Sequence, residues 1–242
     1  MKGYDNIPEN EDILLDLPFY EGGGVLTRDQ AKPHHQDVLL VNTPTWETLA
    51  SGLGVLAFDN TTFEYIELDS ASCADLDFTS GDYSIGAWIR WEDTATSLIV
   101  MGKYEVNVSG WELYLFGGAG GQNYLTLRHH HAATLVPPIT GNARSACYSE
   151  NWTPEVWHFM GISRTGGGEA QHYRNGIPLI ITTSGLVDPE TNSDDLVIGV
   201  RSPTKNADYY KGKLWRPRIW SRIVEVNEWV NIFEQERGYF GV

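Results

Sequence analysis

Between Asp12 and Val224 the apolar residues of this chain recur at every second position in short runs, with no sustained three-to-four spacing. In Tyr83-Ser-Ile-Gly-Ala-Trp-Ile-Arg-Trp91 the period of two puts Tyr83, Ile85, Ala87, Ile89 and Trp91 on one face. This is the pattern of a strand buried on one side. Trp111-Glu-Leu-Tyr-Leu-Phe116 and Tyr124-Leu-Thr-Leu-Arg128 follow it, while Trp157-His-Phe-Met-Gly-Ile-Ser163 is apolar on both faces and reads as a more central strand. Tyr173-Arg-Asn-Gly-Ile-Pro-Leu-Ile-Ile181 carries Asn175-Gly176 between two extended runs. Both central residues of a two-residue type I′ hairpin need positive φ, and Asn-Gly supplies it.

A helical period appears only at the end, where Val226, Trp229, Val230 and Phe233 fall at i, i+3, i+4 and i+7. The pattern predicts one short amphipathic helix, ended by Gly238, with its stripe capping a sandwich. The chain therefore divides into a polar arm over 1–11, a β-sandwich over 12–224, and a helix and tail over 225–242. The arm is expected to be ordered only where something holds it.

Composition excludes several partners. A formal net charge of −15 opposes binding to nucleic acid and to anionic membranes. No run approaches the length of a membrane span, and the opening MKGYDNIPENED lacks the basic and apolar regions of a signal peptide, so no Sec export is expected. The sequons at Asn60, Asn107 and Asn151 are then idle, and Cys73 and Cys147 are expected to be free, buried thiols.

Several stretches, taken in order, resemble the laminin-G-like, concanavalin A-like lectin/glucanase jellyroll family. They are Leu14-Leu-Asp-Leu-Pro-Phe-Tyr-Glu-Gly22, Arg28-Asp29, Leu56-Ala-Phe-Asp-Asn60, Tyr65-Ile-Glu-Leu68, Phe78 through Ile89, Trp157-His158, Tyr173-Arg-Asn-Gly176, Leu196-Val-Ile-Gly199 and Gly212 through Arg222. The resemblance implies an all-β fold, a two-sheet antiparallel jellyroll sandwich. The closing Ile232-Phe-Glu-Gln-Glu-Arg-Gly-Tyr-Phe-Gly-Val242 is similar to the tail of jellyroll proteins encoded in phage and prophage virion modules.

Glucanases of this fold class use a nucleophile and an acid/base about 5 Å apart on one strand face, in a Glu-x-Asp-x-x-Glu motif. The nearest match, Glu67-Leu-Asp69-Ser-Ala-Ser72, puts Ser72 where the acid/base belongs. Without that proton donor the leaving group is not activated, and Glu67 and Asp69 read as a solvated strand face. Calcium, which takes six to eight oxygens, is the cation the resemblance would allow. Asp59 resembles one of its ligands, but the other recurrent acid falls on Trp215, followed by Arg216, and neither side chain ligates calcium. Asp194 and Asp195 read as acidic turn residues. No cofactor is expected. The glycine runs 116–121 and 166–168 lack a following helix or a P-loop lysine and read as turns, and His158 reads as a structural histidine.

The run His129-His130-His131 is the sharpest local oddity. Were the strand from Tyr124 to persist, His129 and His131 would share the face of Leu125 and Leu127 while His130 pointed away. One ion cannot then be gripped by all three, and His34 or His35 would have to complete a zinc site. The preferred expectation is that the strand ends near His129 and the run opens a long loop over 132–153. There His129, His130 and His131 form a contact surface, and Tyr148 and Trp152 either stack on sugar rings as exposed loop aromatics or only cover the core. The function expected is a non-catalytic structural or binding jellyroll, a phage virion subunit that decorates a capsid or faces a receptor, within an oligomer or larger particle and with cell-surface glycan as a further partner. Its place is the virion, or the cytoplasm before assembly. The alternatives are a diverged polysaccharide hydrolase or lyase with His130 or His131 as base, and a free-standing carbohydrate-binding module.

Overall fold

The computed structural model describes residues 4, 7–33, 35–92, 97–117, 123–131, 141–147, 150, 152–181 and 186–242. In chain order the strands are β1 (Ile13–Asp16), β2 (Leu26–Arg28), β3 (Asp37–Val41), β4 (Thr45–Thr48), β5 (Gly54–Phe58), β6 (Tyr65–Leu68), β7 (Tyr83–Trp91) and β8 (Leu98–Glu105). They continue with β9 (Ser109–Gly117), β10 (Asn123–His131), β11 (Gly141–Ala146), β12 (His158–Arg164), β13 (Ala170–Arg174), β14 (Ile177–Pro178), β15 (Leu196–Ile198) and β16 (Gly212–Trp220), and a helix α1 (Val226–Glu236) follows. The first sheet has the order β14-β13-β12-β7-β16-β5-β4, with β1 also paired to β16. The second has the order β11-β10-β9-β8-β15-β6-β3-β2. Two antiparallel sheets packed over one apolar core make the jellyroll sandwich. Asn175 and Gly176 take φ of +54° and +76° in the tight turn from β13 to β14, as the dipeptide predicts. Among the described residues no helix is long and apolar enough to cross a membrane.

The half-buried reading of β7 is corrected, because both of its faces are covered. Tyr83, Ile85, Ala87, Ile89 and Trp91 enter the core between the sheets, while Ser84, Gly86 and Trp88 lie under α1. The close approach depends on glycine. Gly86 and Gly161 are paired across β7 and β12, and a Cβ on either would sit 2.8 or 2.9 Å from the Trp229 ring. The helix stripe is also rotated from the expected one. Trp229, Ile232, Phe233 and Glu236 are buried, whereas Val226 and Val230 are 42% and 39% exposed, because the helix rests on Trp229 and Phe233 at the edge where β14 ends the sheet. Gly238 falls inside a 3-10 turn over Arg237–Tyr239, and the left-handed glycine is Gly241 at φ +70°.

A carboxylate anchors this helix. Glu236 accepts from Trp88 Nε1 at 2.8 Å, from Arg218 at 2.9 Å and from Arg216 at 3.0 Å. Arg216, at φ +49° in a bulge of β16, also bonds both oxygens of the fully buried Asp16 at 3.0 Å. Asp16 in turn accepts from the Tyr4 hydroxyl at 2.6 Å, and Trp220 Nε1 donates to the Glu9 carbonyl at 2.7 Å. The described part of the arm is thus held by its own sandwich.

Overpacking this contact is expected to cost about 1–3 kcal/mol. Gly161→Ala and Gly86→Ala should therefore lower the denaturant midpoint clearly, while Gly238→Ala, with no atom within 4 Å of its Cβ, should change it little.

Candidate functional site

α1 covers the outer face of the first sheet over β7 and β12, whereas among the described residues no α-helix covers the outer face of the second. Strand register lays a row across it. Leu26 pairs with Leu39, Leu39 with Glu67, Glu67 with Val197, Val197 with Gly102, Gly102 with Glu112, and Glu112 with Arg128. Side chains alternate along each strand, so this whole row points the same way. At one end Arg128 lies over the rings of Tyr104 and Tyr114, 4.4 and 5.1 Å from their centroids, and pairs with Glu112. Glu112 is only 1% exposed, because the segment 199–210 folds back over it and brings Arg201, which reaches Glu112 at 3.2 Å and pairs with Asp208. This end is a filled, structural cluster. The neighbouring pair Phe116–Tyr124 stacks at 5.1 Å.

From Glu67 outward the row is accessible, with Leu39 and Leu26 each 44% exposed, and Phe63 lies just before the strand β6 that carries Glu67. Phe63 is 55% exposed and leans on Tyr209 with ring centroids 5.2 Å apart. Lys205 bridges Glu67 and Asp195, both at 2.7 Å, and Tyr65 adjoins Glu67, Lys205 and Tyr209. Backbone strain gathers here. Thr43, Phe63 and Lys205 have φ of +59°, +61° and +51°, a region that β-branched and bulky L-residues avoid, while Asn42 and Asp208, residue types that tolerate it, share it at +56°. Asn42 Nδ2 donates to the Phe63 carbonyl at 2.9 Å and so helps to pin it. Strain of this kind persists only where the surroundings over-determine it, and it clusters at ligand sites.

The charges at this end favour binding over proton transfer. Burial pushes the Asp195 carboxyl up, but the Lys205 ammonium and the Ser70 N–H outweigh it and leave the group below the usual carboxylate range. Burial lowers the Lys205 amine while its two carboxylates raise it, for a net rise to about 12. A glycosidic proton donor needs the opposite, a carboxyl held neutral. Glu67 and Asp69 are not merely solvated: Glu67 is ion-paired and Asp69 accepts from the Ala71 N–H at 2.9 Å to cap the 3-10 turn that contains Ser72.

The expected contact residues are largely relocated. β10 runs through His131 instead of ending near His129, and β11 pairs with it from Thr126–Ala146 to His131–Gly141. The long loop over 132–153 is therefore interrupted by a strand, which satisfies the backbone groups of an otherwise bare edge. His129 points into the core, fully buried, with Nε2 2.5 Å from the Tyr83 hydroxyl and Nδ1 3.0 Å from the Val187 carbonyl. His130 takes the opposite face, also buried, so neither forms an exposed surface. The His131 side chain, Tyr148 and His34 lie outside the described residues. Trp152 is fully buried against Trp91, His158 and Arg174, with its backbone N–H donating to the Asn123 carbonyl at 2.8 Å, and so covers the core and is no sugar platform. Asp59 Oδ1 is engaged by the Thr61 N–H and hydroxyl, both at 2.8 Å, and these bonds hold its carboxyl low. Among the described residues no group of three or more His, Cys, Asp or Glu converges.

Two pairings were not legible. Phe63 and Tyr209 come from distant segments, and the only signal was an aromatic beside the strand Tyr65–Leu68. Ser145 Oγ and His172 Nε2 meet at 2.9 Å across the two sheets, a nucleophile–base geometry in outline. Both are fully buried, and among the described residues His172 Nδ1 has no hydrogen-bond partner and no third group orients the imidazole. Cys73 and Cys147 are buried and free, as expected.

A family model described as the concanavalin A-like lectin/glucanases superfamily matches residues 60–228. The chain belongs to this superfamily. No curated protein matches it. Among solved structures, this superfamily member is similar to the botulinum neurotoxin serotype D binding domain, 14% identical with a TM-score of 0.65, over 94% of this chain and 51% of that one. It is similar to the binding domain of Paraclostridial Mosquitocidal Protein 1, 14% identical with a TM-score of 0.59, over 96% and 56% of the two chains. It is also similar to domain 4 of AbnA, a GH43 extracellular arabinanase from Geobacillus stearothermophilus in complex with arabinotriose, 13% identical with a TM-score of 0.64, over 91% and 98%. The chain spans about half the length of the toxin binding domains it matches. At these identities the likeness is one of fold.

Burial lowers the His172 imidazole from 6.5 to about 3. As pH falls the unfolded chain takes up this proton first, so stability present above about pH 6.5 is lost progressively down to about pH 3, by on the order of 4 kcal/mol. Denaturation at about pH 7 and about pH 4 should show a loss that His172→Gln reduces; parallel losses in both proteins would contradict a buried neutral His172.

Proposed function

We propose that this chain is a non-catalytic jellyroll that binds carbohydrate on the outer face of its second sheet, as a receptor-facing or decorating subunit of a larger particle, a phage virion. The observation that carries the binding half is the exposed Phe63–Tyr209 pair, held in strained backbone beside Lys205, Glu67 and Asp195. The apolar C–H face of a sugar ring stacks on such an aromatic, and the ring hydroxyls bond the flanking amine and carboxylates. The reading is supported by the similar structures, which include toxin binding domains and an arabinanase domain in complex with arabinotriose. The virion half rests on the tail 232–242.

A glycan array should return ligands, and titration of the best should give affinities that Phe63→Gly and Tyr209→Ala each weaken about tenfold, or ~1.4 kcal/mol. Phe63→Gly should leave stability unchanged or higher, since glycine removes the strain at φ +61°. Polysaccharide turnover, or glycan binding indifferent to both substitutions, would overturn the binding half. For the assembly half, the chain should co-sediment with particles from a producing culture, and a strictly particle-free chain would contradict it.

A further inference from the structure

Where β6 leaves the second sheet, the turn after Leu68 and the segment 191–193 border a cavity of about 340 Å³. That volume is at the small end for ligand sites. Its polar lining is Ser70, Asp77, Lys103, Thr191, Asn192 and Ser193. Lys103 is only 1% exposed, yet its ammonium has no carboxylate within ion-pair distance among the described residues. Its Nζ donates to the Cys73 carbonyl at 3.1 Å and lies 3.5 Å from Cys73 Sγ. An ammonium has three hydrogens to place, and a buried one left short of partners is costly. Across the same cavity Asp77 accepts the Asn192 N–H on Oδ1 at 2.7 Å, and Oδ2 has no hydrogen bond among the described residues. Asn192 is itself locked, donating from Nδ2 to Ser109 Oγ at 3.0 Å and accepting the Asp194 N–H at 2.7 Å. The walls are therefore set before a ligand arrives.

We infer that this cavity is a second ligand site that takes one sugar residue by a pair of adjacent hydroxyls, one accepting from Lys103 Nζ and the other donating to Asp77 Oδ2. The inference deepens the carbohydrate reading and rests on it. Charges of opposite sign lining one cavity call for no net charge on the ligand, and a vicinal diol donates and accepts at neighbouring atoms as the pair requires. A zwitterionic amino acid matches the signs too, but it needs Asp77 firmly ionised. Burial pushes that carboxyl up against the pull of the Asn192 N–H and Lys103. A sugar hydroxyl donates to the free carboxyl oxygen without needing a full charge there, so the sugar is the better fit.

The test is calorimetric titration of the whole chain with free galactose, mannose and arabinose, and separately with glycine, for the wild type, Lys103→Met, Asp77→Asn and Phe63→Gly. At least one monosaccharide should bind the wild type, and bind Lys103→Met and Asp77→Asn at least tenfold more weakly. Asp77→Asn is nearly isosteric and guards against a folding defect in Lys103→Met, and thermal melts of both check it. Monosaccharide binding abolished by Phe63→Gly and indifferent to the cavity variants would overturn the second site and leave the sheet face standing. Oligosaccharide binding with no monosaccharide binding would do the same, and glycine binding lost in Asp77→Asn would replace the sugar with a zwitterion. No binding of any sugar, by the chain or on the array, would instead bring down the carbohydrate reading itself.

Discussion

Glu236 is a carboxylate on the buried side of a helix, and the architecture depends on what it meets there. Three donors close on it, the Trp88 indole and the guanidinium groups of Arg216 and Arg218. A buried carboxylate without such partners would cost several kcal/mol, and removing one partner would expose that cost. The network therefore fixes where α1 sits along the sheet, with Trp229 over the Gly86–Gly161 pair and Phe240 stacked on Trp88 at 4.0 Å. Because Arg216 also grips Asp16, and Asp16 holds Tyr4, the two ends of the chain are tied to the same strand.

This closure assigns the two faces of the sandwich different work. The centre of the first sheet, at β7 and β12, is covered on both sides and its surroundings are aromatic, which suits a rigid support. The second sheet presents a cross-strand row that is tightly ion-paired at Glu112 and accessible at Phe63. The segment 199–210 serves both ends: Arg201 and Asp208 complete the buried pairing, while Lys205 and Tyr209 face outward. Its left-handed residues, Lys205 and Asp208, are what let one short loop present side chains in both directions.

The fold was readable because its signals are local. Alternation marked β7, β9 and β10, Asn175-Gly176 marked the hairpin, and the late change of period marked α1. What covers a strand is not local, so the second burial of β7 under Trp229 could not be read from a sequence that alternates normally. The histidine run misled for the same reason. Its split between faces follows from strand geometry, but whether the strand ends at His129 depends on β11, which arrives after an interval with no clear pattern. Trp152 looked like a loop platform because its exposure is decided by Trp91, His158 and Arg174, all distant in sequence. Ser72 in place of an acid/base was legible, whereas the pairing of Glu67 with Lys205 was not.

The central claim is that the outer face of the second sheet, and not the helix-covered face of the first, meets the ligand. Amide hydrogen exchange with and without the tightest-binding oligosaccharide tests it directly. The account predicts slowed exchange in residues 61–67 and 199–210, with α1, β7 and β12 unchanged. Protection confined to α1 and the strands beneath it, with none at Phe63 or Tyr209, would contradict it.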